Sequence, residues 1–326
     1  MTERTTIEVV VDAAEDVGER VDVVLGRRVP GLSRRSARAM ALEGHLRVDG
    51  RRASPSTRVQ LGARLELSWV RVASPDLPVV LRVTEHFVYV NKPAGVHTHR
   101  LRPSDPPSVA DAVALVHPEC TTASADARER GAIHRLDGNT TGVVAFARTL
   151  QAWETARRGL RERRVDKLYL ALCRALGPTL GDPSSFTREV DEPFPGVTLP
   201  DSLRPGQPPR PLCVAAPIGR ADARTRAGVR EDGLQAQTIV WRLDGASGPA
   251  ERVGCLLRLL TGRRHQARIH LAHVDLPILG DGVYGVPAGA ARPLLHALRL
   301  DLSSACPGES PVDAPLPPDM LALLER

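Results

Sequence analysis

The spacing of hydrophobic residues changes along the chain, and each change predicts an element. From Met1 to Val11 polar and β-branched residues alternate, with no basic stretch leading into a long apolar run. Between Arg20 and Val29, Val21, Val24, Leu25 and Val29 recur at helical spacing on one face, and Pro30-Gly31 ends that run. A second helix is expected from Ser33, whose hydroxyl can cap the free amides of the first turn, to Glu43-Gly44, with Gly44 as its C-cap. A strand at Leu46-Arg47-Val48, a turn at Asp49-Gly50 and a further strand near Ala63 to Trp69 follow. The first fifth of the chain therefore predicts a compact helix-helix-hairpin unit.

Val72 to Leu77, with Pro75 and Pro78, reads as a linker. Beyond it, short apolar runs at Phe87 to Val90, Val143 to Ala147 and Leu168 to Cys173 alternate with helical stretches that include Val109 to Val116 and Gln151 to Arg164. That alternation predicts a mixed α+β domain. The expected division is an acidic segment over residues 1–17, a small unit over 18–71, a linker over 72–79 and a large domain over 80–326. Within the large domain, residues 178–212 are rich in proline without periodicity, which predicts an extended surface loop.

Composition narrows the partner. The 326 residues carry 44 Lys and Arg against 38 Asp and Glu, a net charge of +6, and nucleic acid is the first candidate for an anionic partner. Charge is segregated: residues 1–17 hold five acids and one base, and Gly18 to Arg52 hold nine arginines and four acids. Arg34, Arg35 and Arg38 fall on the second predicted helix, where Arg34 and Arg38 share a face suited either to phosphates or to solvent. No segment approaches the ~20 apolar residues of a membrane-spanning helix, and the N-terminus lacks the features of a signal peptide, so a soluble cytoplasmic protein is expected. Cys120, Cys173, Cys213, Cys255 and Cys306 are odd in number, far apart and without metal-ligand spacing, the pattern of reduced, buried thiols.

Candidate chemistry concentrates in Gly131-Ala132-Ile133-His134-Arg135-Leu136-Asp137-Gly138-Asn139-Thr140-Thr141-Gly142, which precedes a hydrophobic strand. Asp137 sits on a polar, glycine-bearing loop that a sheet would hold rigid. On spacing alone it reads either as a functional carboxylate or as a turn residue capping backbone amides.

The order of these residues resembles two families. Gly18-Glu19-Arg20-Val21-Asp22, Gly31-Leu32-Ser33-Arg34-Arg35-Ser36 and Glu43 to Gly50 look like the alpha-L RNA-binding domain of a small-subunit ribosomal protein. His134-Arg135-Leu136-Asp137 followed by Thr140-Thr141-Gly142 resembles the signature of RluA-type RNA pseudouridine synthases, with Thr141 where serine is commoner. Asn91 to Gly95, Lys167-Leu168-Tyr169-Leu170-Ala171, Pro217 to Arg220, Ala236 to Thr238, Leu260 to His270, Pro277 to Asp281 with Tyr284-Gly285, and Leu294 to Ala297 match the same family in order, over roughly residues 80 to 303. Val96-His97-Thr98-His99-Arg100 and the long insert depart from its pattern.

The resemblance implies a pseudouridine synthase fold with a mixed central sheet behind an alpha-L domain, and the isomerisation of uridine to pseudouridine in structured RNA. Asp137 is implied as the catalytic carboxylate, attacking ribose C1′ or removing a C2′ proton. Arg268 is implied as the cation that keeps it ionised, and Tyr169 as the ring on the target uracil. Arg135 is implied near the space that the extruded base leaves. Arg264, four residues before Arg268, is expected to share its helix face, and Arg34, Arg35 and Arg38 to contact RNA. His134 is expected to make a structural hydrogen bond and Asp281 to serve a turn. Neither His97 with His99 nor His265 with His270 and His273 has the partners of a metal site, so no metal and no cofactor are expected. The expected partner of a monomeric protein is RNA, large-subunit ribosomal RNA first and transfer RNA second. A non-catalytic RNA-binding assembly factor is the reading from another class.

Overall fold

The computed structural model describes residues 3–29, 32, 34, 37–38, 41, 46–71, 78–102, 105–176, 186–205, 209–220, 227–243, 252–286 and 290–324. The expected caps at Ser33 and Gly44 lie outside these residues. Two large hydrophobic cores organise the described chain, one within residues 11–67 and a larger one from Phe87 to Met320, beside a small third cluster of Ile218, Ala236 and Ile269.

The first core is covered by a four-stranded antiparallel sheet in the order β1 (Glu3–Val10), β4 (Arg64–Arg71), β2 (Leu46–Val48), β3 (Arg51–Arg52). Val21, Val24 and Leu25 of the helix Val21–Arg28 are fully buried against Leu46, Leu65 and Leu67. The acidic segment expected over residues 1–17 packs on the unit that follows it. Its alternating residues form β1, which pairs with β4 along its whole length, from Glu3 with Arg71 to Val10 with Arg64. Its carboxylates are partners of the basic stretch: buried Asp16 accepts from Arg27 Nη1 and Arg28 Nε, each at 2.9 Å. Charge segregated in sequence is thus paired in space. Among the expected helix-two residues, Arg34, Ala37, Arg38 and Ala41 are helical. A methyl group added at Gly26 would lie 2.8 Å from the Arg34 backbone nitrogen, so glycine sets how closely this helix approaches its neighbour.

The chain continues through β5 (Val79–Val83), β6 (Phe87–Lys92), β7 (Thr141–Ala147), β8 (Asp166–Arg174), β9 (Thr187–Glu189) and β10 (Leu212–Val214). After the two-stranded β11 (Ile218–Arg220) and β12 (Ala227–Val229) come β13 (Thr238–Leu243), β14 (Arg252–Leu259), β15 (Leu295–Asp301) and β16 (Val312–Asp313). Ten of these form one mixed sheet in the order β5-β6-β7-β15-β8-β14-β13-β10-β9, with β16 on β15. Val79, expected in the linker, already belongs to β5. Among the named strands described, the only parallel pairing is β7 with β15, which joins Thr141 to His296 and Gly142 to Ala297. β7 is buried at every position, which is why it reads as an unbroken apolar run. Gly142 has φ +118°, and a methyl group there would sit 2.2 Å from the Ala297 carbonyl oxygen.

Two helices shield this sheet. Val109–Val116 begins with a capping box between Ser108 and Asp111. Leu150–Arg161 is capped by Thr149 and is shorter than the expected run to Arg164. It stops because Arg163 adopts φ 58° and the Arg164 N–H turns back to the Gly159 carbonyl at 2.8 Å.

The Pro-rich insert is more than an extended surface loop. Its residues form β9 and end in β10, which extend the sheet beyond β13. Leu199 and Leu203 are buried and Phe194 meets Trp241 edge-on at 6.2 Å. Proline denies the segment a helical period, and isolated apolar side chains pin an extended backbone to the sheet. Residues 177–185 and 206–208 lie outside the described residues. All five cysteines are buried and unpaired.

Candidate active site

The Asp137 loop leaves the sheet just before β7, and other segments hold it in place. Thr98 Oγ1 accepts the Leu136 N–H at 3.0 Å and donates to the Leu136 carbonyl at 3.3 Å. The Gly95 N–H and the Lys92 ammonium donate to the Gly138 carbonyl at 3.0 and 2.8 Å. Lys92 is fully buried and also donates to the Pro93 and Val96 carbonyls, each at 2.7 Å. Burial pushes its pKa down to about 7 with Asp137 opposing. Three carbonyls match the three hydrogens of the charged form. At the β7 end, Thr141 Oγ1 lies 2.8 Å from His296 Nδ1, so the hydroxyl that stands in place of serine ties the loop to β15.

Arg268 comes from the helix Gln266–His273, whose first turn is set by Gln266. That amide accepts from Thr261 Oγ1 and the Arg263 N–H and donates to the Gln237 carbonyl and Thr238 Oγ1, all within 3.0 Å. Arg268 Nη1 stands 3.6 Å from Asp137 Oδ2. Its Nε and Nη2 donate to Asp281 at 2.6 and 2.7 Å, a bidentate pair that fixes the guanidinium plane. Burial would raise the Asp281 pKa, but Arg268 and the N–H groups of Val283 and Tyr284 outweigh it and hold the carboxyl below its ordinary range. Asp281 therefore does more than close a turn, since it orients the cation at Asp137.

Tyr169 lies on β8 and pairs with Ala297, the same β15 residue that pairs with Gly142. One strand thus separates the Asp137 loop from the tyrosine. The phenol is buried, and burial first and the Asp137 charge second raise its pKa, so it keeps its proton.

These groups line a cavity of about 790 Å³. Its walls carry Arg128, Arg135, Arg157, Arg161, Arg163, Arg263, Arg264 and Lys167 beside Arg268, against Asp126, Glu129 and Asp137. Arg135 is exposed. Arg264 precedes the helix rather than sharing a helical face with Arg268, yet both reach the cavity. Arg34 and Arg38 lie in the N-terminal unit, both exposed, with Arg34 3.7 Å from Asp22, while Arg35 lies outside the described residues. His134 Nε2 is buried without a hydrogen-bond partner. Burial, then Lys167 and Arg157, lower its pKa to about 3.

Of the five histidines weighed as metal ligands, His270 and His265 face different partners. His270 Nδ1 lies 2.9 Å from Thr238 Oγ1 and its Nε2 2.9 Å from the Ala216 carbonyl. His265 turns toward Asp137, with Nε2 3.9 Å from Oδ1. Thr98, Lys92 and His265 stand in or beside the sequence blocks quoted above, but nothing in their spacing marked them as neighbours of Asp137.

A mixed sheet that presents one carboxylate, ion-paired and facing a strongly cationic cavity, defines an enzyme built for a polyanionic substrate. Residues 86–273 match the model of the RNA pseudouridylate synthase family, and residues 19–65 match the S4 domain. The chain belongs to the RNA pseudouridylate synthase family, in its RluA branch, and is an RNA pseudouridine synthase with an N-terminal S4 domain. It is 30% identical to the ribosomal large subunit pseudouridine synthase D of Xanthomonas campestris, over 97% of this chain and 90% of that protein. It is 25% identical to the ribosomal large subunit pseudouridine synthase C of Escherichia coli, over 100% of this chain and 98% of that one. The human RNA pseudouridylate synthase domain-containing protein 4 shares the fold, with TM-score 0.50 and 20% identity over 76% of this chain and 92% of that one. None of the described helices is long and apolar enough to cross a membrane.

Proposed function

We propose that this enzyme converts uridine to pseudouridine in large-subunit ribosomal RNA, with Asp137 as the catalytic carboxylate. The observation that carries the assignment is the Arg268 contact: Asp137 is the cavity carboxylate held by a buried guanidinium, 3.6 Å away, that a second carboxylate orients. A carboxylate covered by a base loses water contacts, and a cation at this distance offsets that loss.

The reaction exchanges the N1–C1′ bond for a C5–C1′ bond and moves the C5 proton to N1. No electrons or atoms are gained or lost, so no co-reactant is needed, and in this reading the chain's own groups carry the reaction without metal or cofactor. Asp137 attacks C1′ or removes a C2′ proton, which releases uracil as an anion. The released base turns within the cavity until C5 faces C1′. C5 then bonds to C1′ as the Asp137 carboxylate leaves C1′ or returns its proton to C2′, and Tyr169, protonated and buried, packs on the uracil and relays the C5 proton toward N1 by giving up its own as it takes that one. Extrusion of the base costs a few kcal/mol. Arg135, exposed at the cavity mouth, occupies the space the base leaves, and Arg264 binds a neighbouring phosphate. Arg34, Arg35 and Arg38 add backbone contacts from the N-terminal unit. In the same reading the protein acts as a monomer in the cytoplasm.

Ribosomal RNA is favoured over transfer RNA because relatives from several bacteria, aligned over nearly the whole chain, are named for the large ribosomal subunit. The test is carbodiimide-based mapping of pseudouridine in total RNA from cells lacking the protein, complemented with wild type or Asp137→Ala. Sites in large-subunit RNA restored by wild type alone are expected. Restoration by both forms refutes the assignment of Asp137, and sites confined to transfer RNA refute the substrate.

A further inference from the structure

His265 occupies an uncommon position. It precedes the helix Gln266–His273 with φ 58° and ψ 19°, a left-handed conformation that non-glycine residues other than Asn, Asp and His adopt rarely. That backbone turn places its imidazole between two groups. Nδ1 lies 3.0 Å from the Tyr284 hydroxyl and the two rings meet edge to face at 5.6 Å. Nε2, the nitrogen on the far side of the ring, lies 3.9 Å from Asp137 Oδ1. The other carboxylate oxygen, Oδ2, is the one nearest Arg268. Tyr284 joins the two supports, because the Arg268 guanidinium stacks over its ring at 5.0 Å.

We propose that His265, held by Tyr284, is a positioning residue for Asp137, its Nε2–H fixing Oδ1 while Arg268 holds Oδ2, so that the carboxylate keeps one rotation about its Cβ–Cγ bond throughout the reaction. The inference rests on the reading of Asp137 as the catalytic carboxylate. Its chemistry is selective for one tautomer. A lone pair on Nε2 would face a carboxylate oxygen and be repelled, whereas Nε2–H is attracted and leaves Nδ1 to accept from a hydroxyl. At 3.9 Å the contact is electrostatic, and it shortens to a hydrogen bond when the substrate displaces water from the cavity. The carboxylate pivots freely with only Arg268 beside it, since one cation near one oxygen leaves the second to swing. Two donors on two oxygens remove that freedom, and orientation of this kind is realised in kcat rather than in binding.

The test uses the full-length protein and unmodified total RNA from cells lacking it, with single-turnover conversion followed at the uridines it modifies and binding followed by filter retention. Four forms are compared with wild type: His265→Asn, His265→Gln, Tyr284→Phe and Asp137→Ala. Asparagine tolerates the left-handed backbone, so it removes the Nε2 donor without added strain, and glutamine places an amide N–H near the position of Nε2. His265→Asn is expected to lower the conversion rate about 10- to 100-fold, the range for loss of a hydrogen bond to a charged group, with RNA affinity and melting temperature unchanged. His265→Gln is expected to recover most of that loss, and Tyr284→Phe to show a smaller decrease in the same parameter. If Asp137→Ala abolishes conversion while His265→Asn converts at the wild-type rate, or while glutamine, melting at the same temperature as asparagine, converts no faster, the positioning role is overturned. If Asp137→Ala itself converts uridine, the assignment beneath it fails instead.

Discussion

Arg268 and Asp281 form a buried bidentate pair, Nε to Oδ2 at 2.6 Å and Nη2 to Oδ1 at 2.7 Å, and this leaves the third guanidinium nitrogen 3.6 Å from Asp137. Asp281 accepts the Val283 and Tyr284 N–H groups as well, so its position is set by backbone rather than by a flexible partner. The cation near Asp137 is in this way anchored to a turn of the chain.

Replacing Asp281 with asparagine keeps the shape but removes the charge and one acceptor. Arg268 is then drawn wholly toward Asp137, and a buried guanidinium loses its principal counter-ion. Stability is expected to fall by about 3 kcal/mol, the scale for breaking one half of a buried pair. Conversion is expected to fall about 10-fold or more with RNA affinity retained. Urea unfolding and single-turnover assays check the two parts separately.

Thr98 offers a finer perturbation of the same loop. Valine fills nearly the same volume but leaves the Leu136 N–H and carbonyl unpaired where threonine satisfied both. A loss of about 1–3 kcal/mol per abandoned buried group is expected. Thr98→Ser should restore both stability and rate. A Thr98→Val protein as stable as wild type shows that other groups, water included, meet those two partners.

Gly142 stands at the parallel joint of the sheet. With φ +118° and only 2.2 Å between an added methyl carbon and the Ala297 carbonyl, Gly142→Ala cannot be accommodated without separating β7 from β15. Destabilisation of about 3 kcal/mol or more is expected, read by thermal or urea unfolding. Full retention of stability overturns the packing argument.

Acid should unfold the protein through its buried histidines. Burial lowers the pKa of His134 to about 3 and of His270 and His296 to about 4. In the unfolded chain each titrates near 6.5. Between roughly pH 6.5 and pH 4 the unfolded state therefore binds more protons, and stability falls as pH falls. The slope approaches about 4 kcal/mol per pH unit if all three act fully. Urea midpoints at pH 7 and pH 5 measure it, and removing His134, whose Nε2 lacks a partner, should flatten the slope by about one third. A midpoint that is flat over this window excludes the mechanism.

The legible parts of the chain were those governed by local physics. The helix Val109–Val116 announces itself as a helical stretch between strands, and the strands around Phe87, Val143 and Leu168 by uninterrupted apolar runs. The His134 to Gly142 block and its companions carried the family, because their residue order is a record of shared chemistry. The segments misread were those in which long-range pairing decides. β1 was set apart in an acidic segment until it met β4, and the Pro-rich insert looked like a loop until β10 met β13.

The sequence by itself determined which residues carry charge and hydroxyls, where helices start, and which family the chain resembles. Only tertiary structure decided who stands beside Asp137. Thr141 and His296 are 155 residues apart and meet because β15 inserts between β7 and β8, and the same insertion leaves Tyr169 one strand from the carboxylate's loop. Strands buried on both faces are apolar along their whole length, so their side chains do not encode their neighbours. The order of the sheet follows from how all of them pack together, and with it the distances from Asp137 to Arg268 and His265.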